Sequence, residues 1–169
     1  MSTTPSTFQL DIPQDLLLST TVFRDEVTLN ASKTTLLALL SHLKTQGQFN
    51  MLTDVTCVDY YPKEPRFGML YQLTSIPRNL RVRVKVMLAE FDASLPSACS
   101  VYRNANWLER EVYDLMGINF EDHPDQRRIM MPPDWVGHPL RREIPVAVEE
   151  VAFSFNRERI DANKPRPTE

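Results

Sequence analysis

Residues 107–142 read WLEREVYDLMGINFEDHPDQRRIMMPPDWVGHPLRR and contain the strongest structural signals of this chain. The first ten residues predict an amphipathic helix, because apolar residues fall on one stripe at about 100° per residue and Gly117 supplies a left-handed stop. More than half of the 13 prolines follow Gly117, which disfavours regular ladders and long helices there. The stretch therefore predicts a short helix followed by an extended arm. The apolar stripe consists of Leu108, Val112, Leu115 and Met116.

The polar residues of this helix predict its beginning and its outer face. Asn106 and Glu109 have the spacing of a capping box, in which the two side chains satisfy free N–H groups at the helix start. Arg110 and Asp114 lie one turn apart, opposite the apolar stripe, and are expected to pair. Helix geometry alone therefore accounts for most of this motif.

Two glutamates of the same helix need a further explanation. Glu109 and Glu111 lie roughly 160° apart around the helix, so they cannot converge on one substrate as an acid and base pair. Glu111 lies near Asp114 in projection, and this negative charge would favour a facing guanidinium from Arg127, Arg128 or another chain. A solvated outer face is the alternative for these glutamates.

Upstream of the helix, hydrophobic patterns predict an α+β domain. Leucines recur at helical spacing within residues 36–43, and residues 26–30, 50–60, 66–76 and 80–88 alternate as strands do. The last two strands are separated by a turn-like SIPRN sequence and form a predicted hairpin. This order favours a small, mostly antiparallel sheet with packed helices.

One of these strands carries a row of basic side chains. Arg81, Arg83 and Lys85 alternate with apolar residues, which is typical of a strand with one face on the core and one in water. The basic row is interpreted as a solvated face. A docking stripe for an acidic partner remains the alternative.

Composition argues against several classes of protein. The net charge of -3 and the pI near 5.7 argue against a nucleic-acid binder. Cys57 and Cys99 stand apart, too few for a structural zinc or an iron–sulfur cluster, and the glycines are too scattered for a nucleotide cradle. No apolar run approaches the roughly 20 residues that cross a bilayer, so membrane association is expected only through partners. The N-terminal residues resemble neither a secretory signal nor a presequence, which favours a bacterial cytoplasmic location.

The two histidines of the arm, His123 and His138, are each followed by a proline. Neither has a second imidazole or a thiol at ligand spacing. A structural hydrogen-bonding role is therefore expected for both, in place of metal binding or base catalysis.

The arm also contains two pairs of arginines, Arg127 with Arg128 and Arg141 with Arg142. Planar pairing with carboxylates of a neighbouring protein is the commoner use of such groups, and contact with an anionic headgroup or with an acidic residue of a partner's ligand site is the alternative. Large apolar side chains such as Trp135 lie among the prolines, and leaving each exposed forgoes on the order of 1.5–3 kcal/mol of burial. A partner surface is the simplest cover for them.

The order of these residues resembles one known family, the 30 kDa subunit of respiratory complex I, which in the bacterial NADH-quinone oxidoreductase is the subunit designated C. The resemblance runs from about residue 27 to residue 144 and departs from the family at Asp122, Glu143 and Ile144. The residues that match the family signature are Glu109, Arg110, Glu111, Asp114, Leu115, Met116, His123, Arg127, Ile129 and Met130. The match continues through Trp135, Gly137, His138, Pro139, Leu140, Arg141 and Arg142.

The resemblance implies a non-catalytic structural subunit of the peripheral arm of a proton-translocating NADH:quinone oxidoreductase, on the cytoplasmic side of the bacterial inner membrane. It implies no cofactor in this chain, whereas FMN, iron–sulfur clusters and quinone belong to the whole complex. The implied partners are the 49 kDa-like and the quinone-site iron–sulfur subunits. Two alternatives are an equivalent subunit of a membrane-bound hydrogenase or a related complex fed by another donor, and a hydrolase using His123 with Asp125 or Asp114.

The predicted organisation is an N-terminal lead-in (1–20), an α+β domain (21–117), an extended partner-binding arm (118–156) and a polar tail (157–169). We expect the arm to be held mainly by partners, because its apolar residues lack local helical or strand neighbours. The predicted partner-interface residues are Glu109, Arg110, Glu111, His123, Arg127, Arg128, Trp135, His138, Arg141 and Arg142.

Overall fold

The computed structural model describes residues 11–144 and 157–163, and in these residues the chain forms seven β-strands and three α-helices. Three short 3-10 turns connect some of them. In chain order the elements are β1 (Ser19–Phe23), β2 (Glu26–Ala31), α1 (Leu36–Thr45), β3 (Met51–Asp59), β4 (Phe67–Ser75), β5 (Leu80–Leu88), β6 (Ser94–Pro96), α2 (Ala105–Met116), β7 (Asn119–Glu121) and α3 (Arg157–Asn163).

The main sheet has the strand order β1-β2-β5-β4-β3 and is mixed. Its β1-β2, β3-β4 and β4-β5 pairs are antiparallel, whereas β2 pairs with β5 in parallel. A second sheet pairs β6 with β7, also in parallel. The α+β class is confirmed, but the expectation of a mostly antiparallel sheet is corrected. Helix α1 returns the chain to the end of the sheet at which β2 begins, so β3 runs in the same direction as β2. The chain then reverses into β4 and again into β5, so β5 is also parallel to β2.

Apolar periodicity explains the elements that form the core. The buried face of α1 consists of leucines, and the inward residues of β5 are buried while its basic row faces outward. Full burial of each such side chain contributes about 1.5–3 kcal/mol relative to exposure. The predicted hairpin is confirmed as β4 and β5, with Tyr71 opposite Val84 at its centre.

Three strands have no counterpart in the sequence prediction. Strand β1 begins within the predicted lead-in and extends three residues beyond it, and all five of its residues are exposed. A strand without a buried face shows no alternation of apolar and polar residues, so the pattern could not reveal it. Strands β6 and β7 have three residues each, which is too short for any periodic signal.

The predicted extended arm is not confirmed. Residues 118–144, here called the return segment, fold back on the domain, and Ile118 and Phe120 are buried in the common core. Farther along, the Leu140 N–H donates to the Leu115 carbonyl at 3.0 Å. The rest of the predicted arm, residues 145–156, lies outside the described residues. Within the predicted polar tail, residues 157–163 form α3.

Candidate functional site: helix α2 and the segment it holds

Asp114 on α2 is the main acceptor for the return segment. Its carboxylate is fully buried. One oxygen, Oδ2, accepts the backbone N–H groups of Ile129, Met130 and Met131 at 3.0, 2.8 and 2.8 Å. The other accepts the Arg128 guanidinium at 2.7 Å. Burial alone would raise the pKa of Asp114, but these donors outweigh it, so its pKa lies below the ordinary value.

Arg110 does not pair with Asp114, contrary to the prediction. It is nearly buried and donates to the carbonyls of Arg127 and Arg128 at 2.9 and 3.2 Å, while its guanidinium lies 5.5 Å from the centre of the Trp107 ring. The two side chains one turn apart therefore bind different parts of the return segment. The carbonyls satisfy the donors of Arg110, and the N–H groups satisfy the acceptors of Asp114, so neither side chain requires the other as a partner.

The predicted capping box is also wrong. Helix α2 begins at Ala105, and Asn104 at its N-cap makes no capping bond. The Asn104 amide donates instead to the Leu52 carbonyl at 2.6 Å, which ties the helix start to β3. Glu109 points into the core, away from the first turn.

Glu109 is the second buried carboxylate of α2, with no exposed surface. It accepts the Ala98 N–H and the Ser97 hydroxyl, both at 2.7 Å, and the Cys99 thiol lies 3.6 Å from it. Burial raises the pKa of Glu109 above its ordinary value, although these three donors pull it down in part. Glu109 therefore anchors the turn before α2.

His123 closes this cluster from the return segment. Its Nδ1 accepts the Asp125 N–H at 3.0 Å, which leaves the ring proton on Nε2, where it donates to the Asn106 carbonyl at 3.2 Å. The Nε2 atom also lies 3.8 Å from Glu109. The expected structural hydrogen-bonding role of His123 is thus the role that these bonds support.

Cys99, Glu109 and His123 place their potential ligand atoms within 4.8 Å of one another. The sequence did not indicate this proximity, because the thiol is far from His123 along the chain. A metal at Nε2 would require the ring proton to lie on Nδ1. The Nδ1 atom instead accepts the Asp125 N–H, which it can do only without a proton. The arrangement therefore favours a hydrogen-bonded cluster over a metal centre.

A third buried carboxylate, Asp59, lies at the end of β3. It does accept the Tyr61 N–H at 2.9 Å, as a turn residue would. It also holds Arg66 through two bonds of 3.0 and 2.8 Å, and it accepts the Arg142 N–H at 2.9 Å. The Arg66 bonds outweigh desolvation and hold the pKa of Asp59 well below its usual range. Arg66 also pairs with Glu143 at the end of the return segment.

The return segment covers the C-terminal end of α2 as well. The His138 ring donates from Nδ1 to the Asp114 carbonyl at 2.9 Å, and the Arg141 Nε donates to the Met116 carbonyl at 2.7 Å. Gly117 has a φ of 73°, and a Cβ there would lie 2.5 Å from the His138 ring. The glycine thus provides both the left-handed stop and the space for the segment that closes over it.

The ten predicted interface residues therefore divide into three groups. Glu109 and His123 have fully buried side chains and Arg110 a nearly buried one, so the contacts of these three side chains in this conformation are internal, and their place at an interface stays a prediction. Arg128, His138 and Arg141 use their side chains for internal hydrogen bonds, and Trp135 is half-buried. The exposed residues are Glu111, Arg127 and Arg142.

The arginines of the return segment also differ from the prediction in their pairing. Arg127 binds Asp125 through two bonds of 2.6 and 2.7 Å, and Arg128 binds Asp114, so neither meets Glu111 as the helix projection indicated. The hydrolase alternative loses its dyad, because His123 meets only the backbone of Asp125, and Asp114 is occupied by the return segment. The arrangement is one that positions a segment of chain.

Among the described residues, no helix combines the length and apolar character that crossing a lipid bilayer requires.

A family model described as "Respiratory-chain NADH dehydrogenase, 30 Kd subunit" matches residues 29–150. The NADH-quinone oxidoreductase subunit designated C of Geotalea uraniireducens (strain Rf4) is 50% identical over 130 residues, which cover 77% of this chain and 79% of that protein. The protein of the same designation from Roseiflexus sp. (strain RS-1) is 39% identical over 153 residues, covering 89% and 88%.

Two solved structures are similar to this chain. One is described as "Nqo5 of the trypsin-resistant fragment (1-134) in P63 form", with 36% identity and a TM-score of 0.56 over 59% of this chain and 82% of that chain. The other, an archaeal membrane-bound sulfane sulfur reductase, has a TM-score of 0.67 over 89% and 87% of the chains at 18% identity, and so shows the fold alone. On the family model and these relatives, the chain belongs to the family of the 30 Kd subunit of respiratory-chain NADH dehydrogenase.

Proposed function

We propose that this chain is a non-catalytic structural subunit of the peripheral arm of a proton-translocating NADH:quinone oxidoreductase. One observation carries the proposal for how it works. Two charged residues of α2 that match the family, Arg110 and Asp114, hold the return segment, with Asp114 accepting three consecutive N–H groups. Side chains used in this way position a surface and perform no redox chemistry.

The surface that they position is the outer side of the return segment. Met130, Val136 and Leu140 are 64%, 77% and 55% exposed there, although the Met130 and Leu140 N–H groups are bound to α2. Apolar side chains on a supported segment are suited to docking, because little chain entropy is lost when a partner covers them. We propose that this surface contacts other peripheral subunits, chiefly the 49 kDa-like and the quinone-site iron–sulfur subunits.

The remaining parts of the proposal concern cofactors and location. FMN, the iron–sulfur clusters and quinone belong to the partner subunits, and this chain contributes no ligand to them. Within the complex the chain lies peripherally on the cytoplasmic side of the bacterial inner membrane. An equivalent role in a hydrogenase-like complex is less supported, because the relatives described above have NADH-quinone oxidoreductase names.

The test is deletion of the gene in its host, followed by complementation. We expect deletion to abolish NADH:quinone reductase activity in membranes together with the assembled complex on native gels, and the intact gene to restore both. NADH:ferricyanide activity separates loss of the whole assembly from loss of quinone reduction alone.

Normal NADH:quinone activity and a complete complex in the deletion strain would contradict the proposal. Loss of activity driven by hydrogen or another donor, with NADH:quinone reduction unchanged, would favour the hydrogenase-like alternative. Loss of a soluble hydrolytic activity alone would place the chain outside both classes.

A further inference from the structure

Phe91 is the most exposed large apolar side chain among the described residues, with 93% of its surface in contact with solvent. It lies in the short 3-10 turn Glu90–Asp92 that follows β5. This turn is separate in sequence from the return segment. The docking surface proposed above lies on the return segment, so it does not explain why an aromatic ring is exposed to water at this position.

The turn that carries Phe91 is fixed on both sides by ion pairs. On one side, Glu90 binds the buried Arg66 at 2.6 Å. On the other, Asp92 binds Lys33 at 3.0 Å and accepts the Ser94 hydroxyl at 3.1 Å. A ring on a backbone held in this way loses little conformational freedom when it binds, which is the property of an interface anchor.

The surface around Phe91 is acidic. Glu90, Asp92 and Glu121 expose 52%, 54% and 50% of their side chains, whereas their cationic partners Arg66 and Lys33 expose only 2% and 28%. The positive charges therefore lie beneath the carboxylates, and the outer rim is negative. A partner surface that covers this rim must supply positive charge to match it.

We propose that Phe91 inserts into an apolar pocket rimmed by lysine or arginine side chains on another subunit of the complex. This inference rests on the proposed function, since it needs the chain to reside in that complex. The acidic rim argues against the other covers for the ring. An anionic lipid surface and a second copy of the same rim would each place like charges together.

The direct test is photo-crosslinking in the assembled complex. The variant Phe91→p-benzoylphenylalanine is produced as the only copy of the chain, membranes are irradiated, and adducts are mapped by mass spectrometry. We expect one adduct, to a single other subunit, at a site flanked by lysine or arginine. The matched control is Phe23→p-benzoylphenylalanine, because Phe23 is an aromatic residue that is 67% exposed on β1.

A second measurement uses truncation of the same two rings. Phe91→Ala is expected to lower the amount of chain that stays with the complex during salt washing at least tenfold, as loss of an interface anchor does, while Phe23→Ala leaves it unchanged. The thermal midpoint of the isolated chain should be unchanged by Phe91→Ala, because the ring makes no burial contribution to the domain. This midpoint separates a docking defect from a folding defect.

Several results would overturn the inference. They are an adduct to lipid, to a second copy or to this chain itself, and the absence of any adduct in a complex that contains the chain. Equal retention of Phe91→Ala and Phe23→Ala would overturn it as well. These results leave the proposed function intact, whereas a wild-type chain that enters no complex would refute the proposed function and this inference together.

Discussion

Helices α1 and α2 bury their inner faces in two different ways. The buried face of α1 consists of leucines, each with 0% exposure. The buried residues of α2 include Glu109, Arg110 and Asp114 beside Val112 and Met116. The first helix is held by apolar burial, and the second also depends on hydrogen bonds from segments outside it. An apolar side chain needs only to leave water, whereas a buried charge also needs partners of fitting geometry.

The two carboxylates of α2 show the same contrast on a smaller scale. Asp114 receives three N–H groups and a guanidinium, and its pKa is lowered. Glu109 receives donors without a cation in hydrogen-bonding contact, and burial keeps its pKa raised. Burial of a carboxylate therefore stabilises or strains the fold according to what surrounds it.

The largest expected effect comes from removing the acceptor that holds the return segment. Asp114→Ala leaves three N–H groups and the Arg128 guanidinium without their acceptor, which should lower the free energy of unfolding by about 3–5 kcal/mol. Urea unfolding measures the loss, and hydrogen exchange should show lost protection at residues 129–131. Glu111→Ala, on the exposed face of the same helix, is the control and should change little. Unaltered protection in Asp114→Ala would show that the segment is held by other contacts.

Two adjacent arginines allow the next comparison. The Arg128 side chain is 17% exposed and binds Asp114, whereas the Arg127 side chain is 79% exposed and binds Asp125 at the surface. Arg128→Ala should cost about 2 kcal/mol of stability and reduce the amount of assembled complex, with turnover per complex near normal. Arg127→Ala should leave the thermal midpoint unchanged. A normal amount of complex with tenfold slower quinone reduction in Arg128→Ala would indicate a role in chemistry instead.

The pH dependence of stability should separate the two buried carboxylates. Asp114 has a folded pKa below its unfolded value of about 3.9, so its contribution is present above that pH and is lost as pH falls through the folded pKa. Glu109 has a folded pKa above 4.5, so its contribution is present below that pH and is lost as pH rises through the folded pKa. When the free energy of unfolding is plotted against pH, Asp114→Asn should reduce its fall towards acidic pH. Glu109→Gln should reduce its fall as the pH rises above 4.5. The same change in both variants would refute the contrast.

The smallest expected effect is on the outer face of the sheet. Arg83 is 31% exposed and pairs with Glu26, which is 65% exposed, so Arg83→Ala should change the free energy of unfolding by less than about 0.5 kcal/mol. Val84→Ala, its buried neighbour on β5, should cost several times more. Thermal unfolding of both variants is the measurement. A loss of assembled complex in Arg83→Ala without loss of stability would make the basic row a docking stripe, the alternative left open by the sequence.

The elements predicted well are those in which one apolar face is buried along the whole element. The leucine pattern placed α1, the alternation in β5 placed a strand with its basic row outward, and Gly117 marked the end of α2. These signals are local, because each depends on residues within a few turns or a few pairs. Strand β1 escaped prediction for the converse reason, since both of its faces are exposed.

The candidate site was predicted in its location but not in its contacts. The sequence singled out α2 and the residues after it, yet it paired Arg110 with Asp114 and directed Glu109 to a capping box. Both errors arise because a helix projection considers only neighbours on the same helix. The actual partners of Asp114 lie 14 to 17 residues away, and Asp59 meets Arg142 across 83 residues.

The sequence by itself determined the α+β class, most of the core elements, the family and the helix that carries the family's charged residues. Only the tertiary structure decided that β2 and β5 run parallel, that residues 118–144 fold back on the domain, and that Glu109, Asp59 and Arg66 are buried. The physical reason lies in the range of the forces. Apolar periodicity is written into consecutive residues, whereas the free energy of a buried charge depends on donors and acceptors that distant segments bring to it.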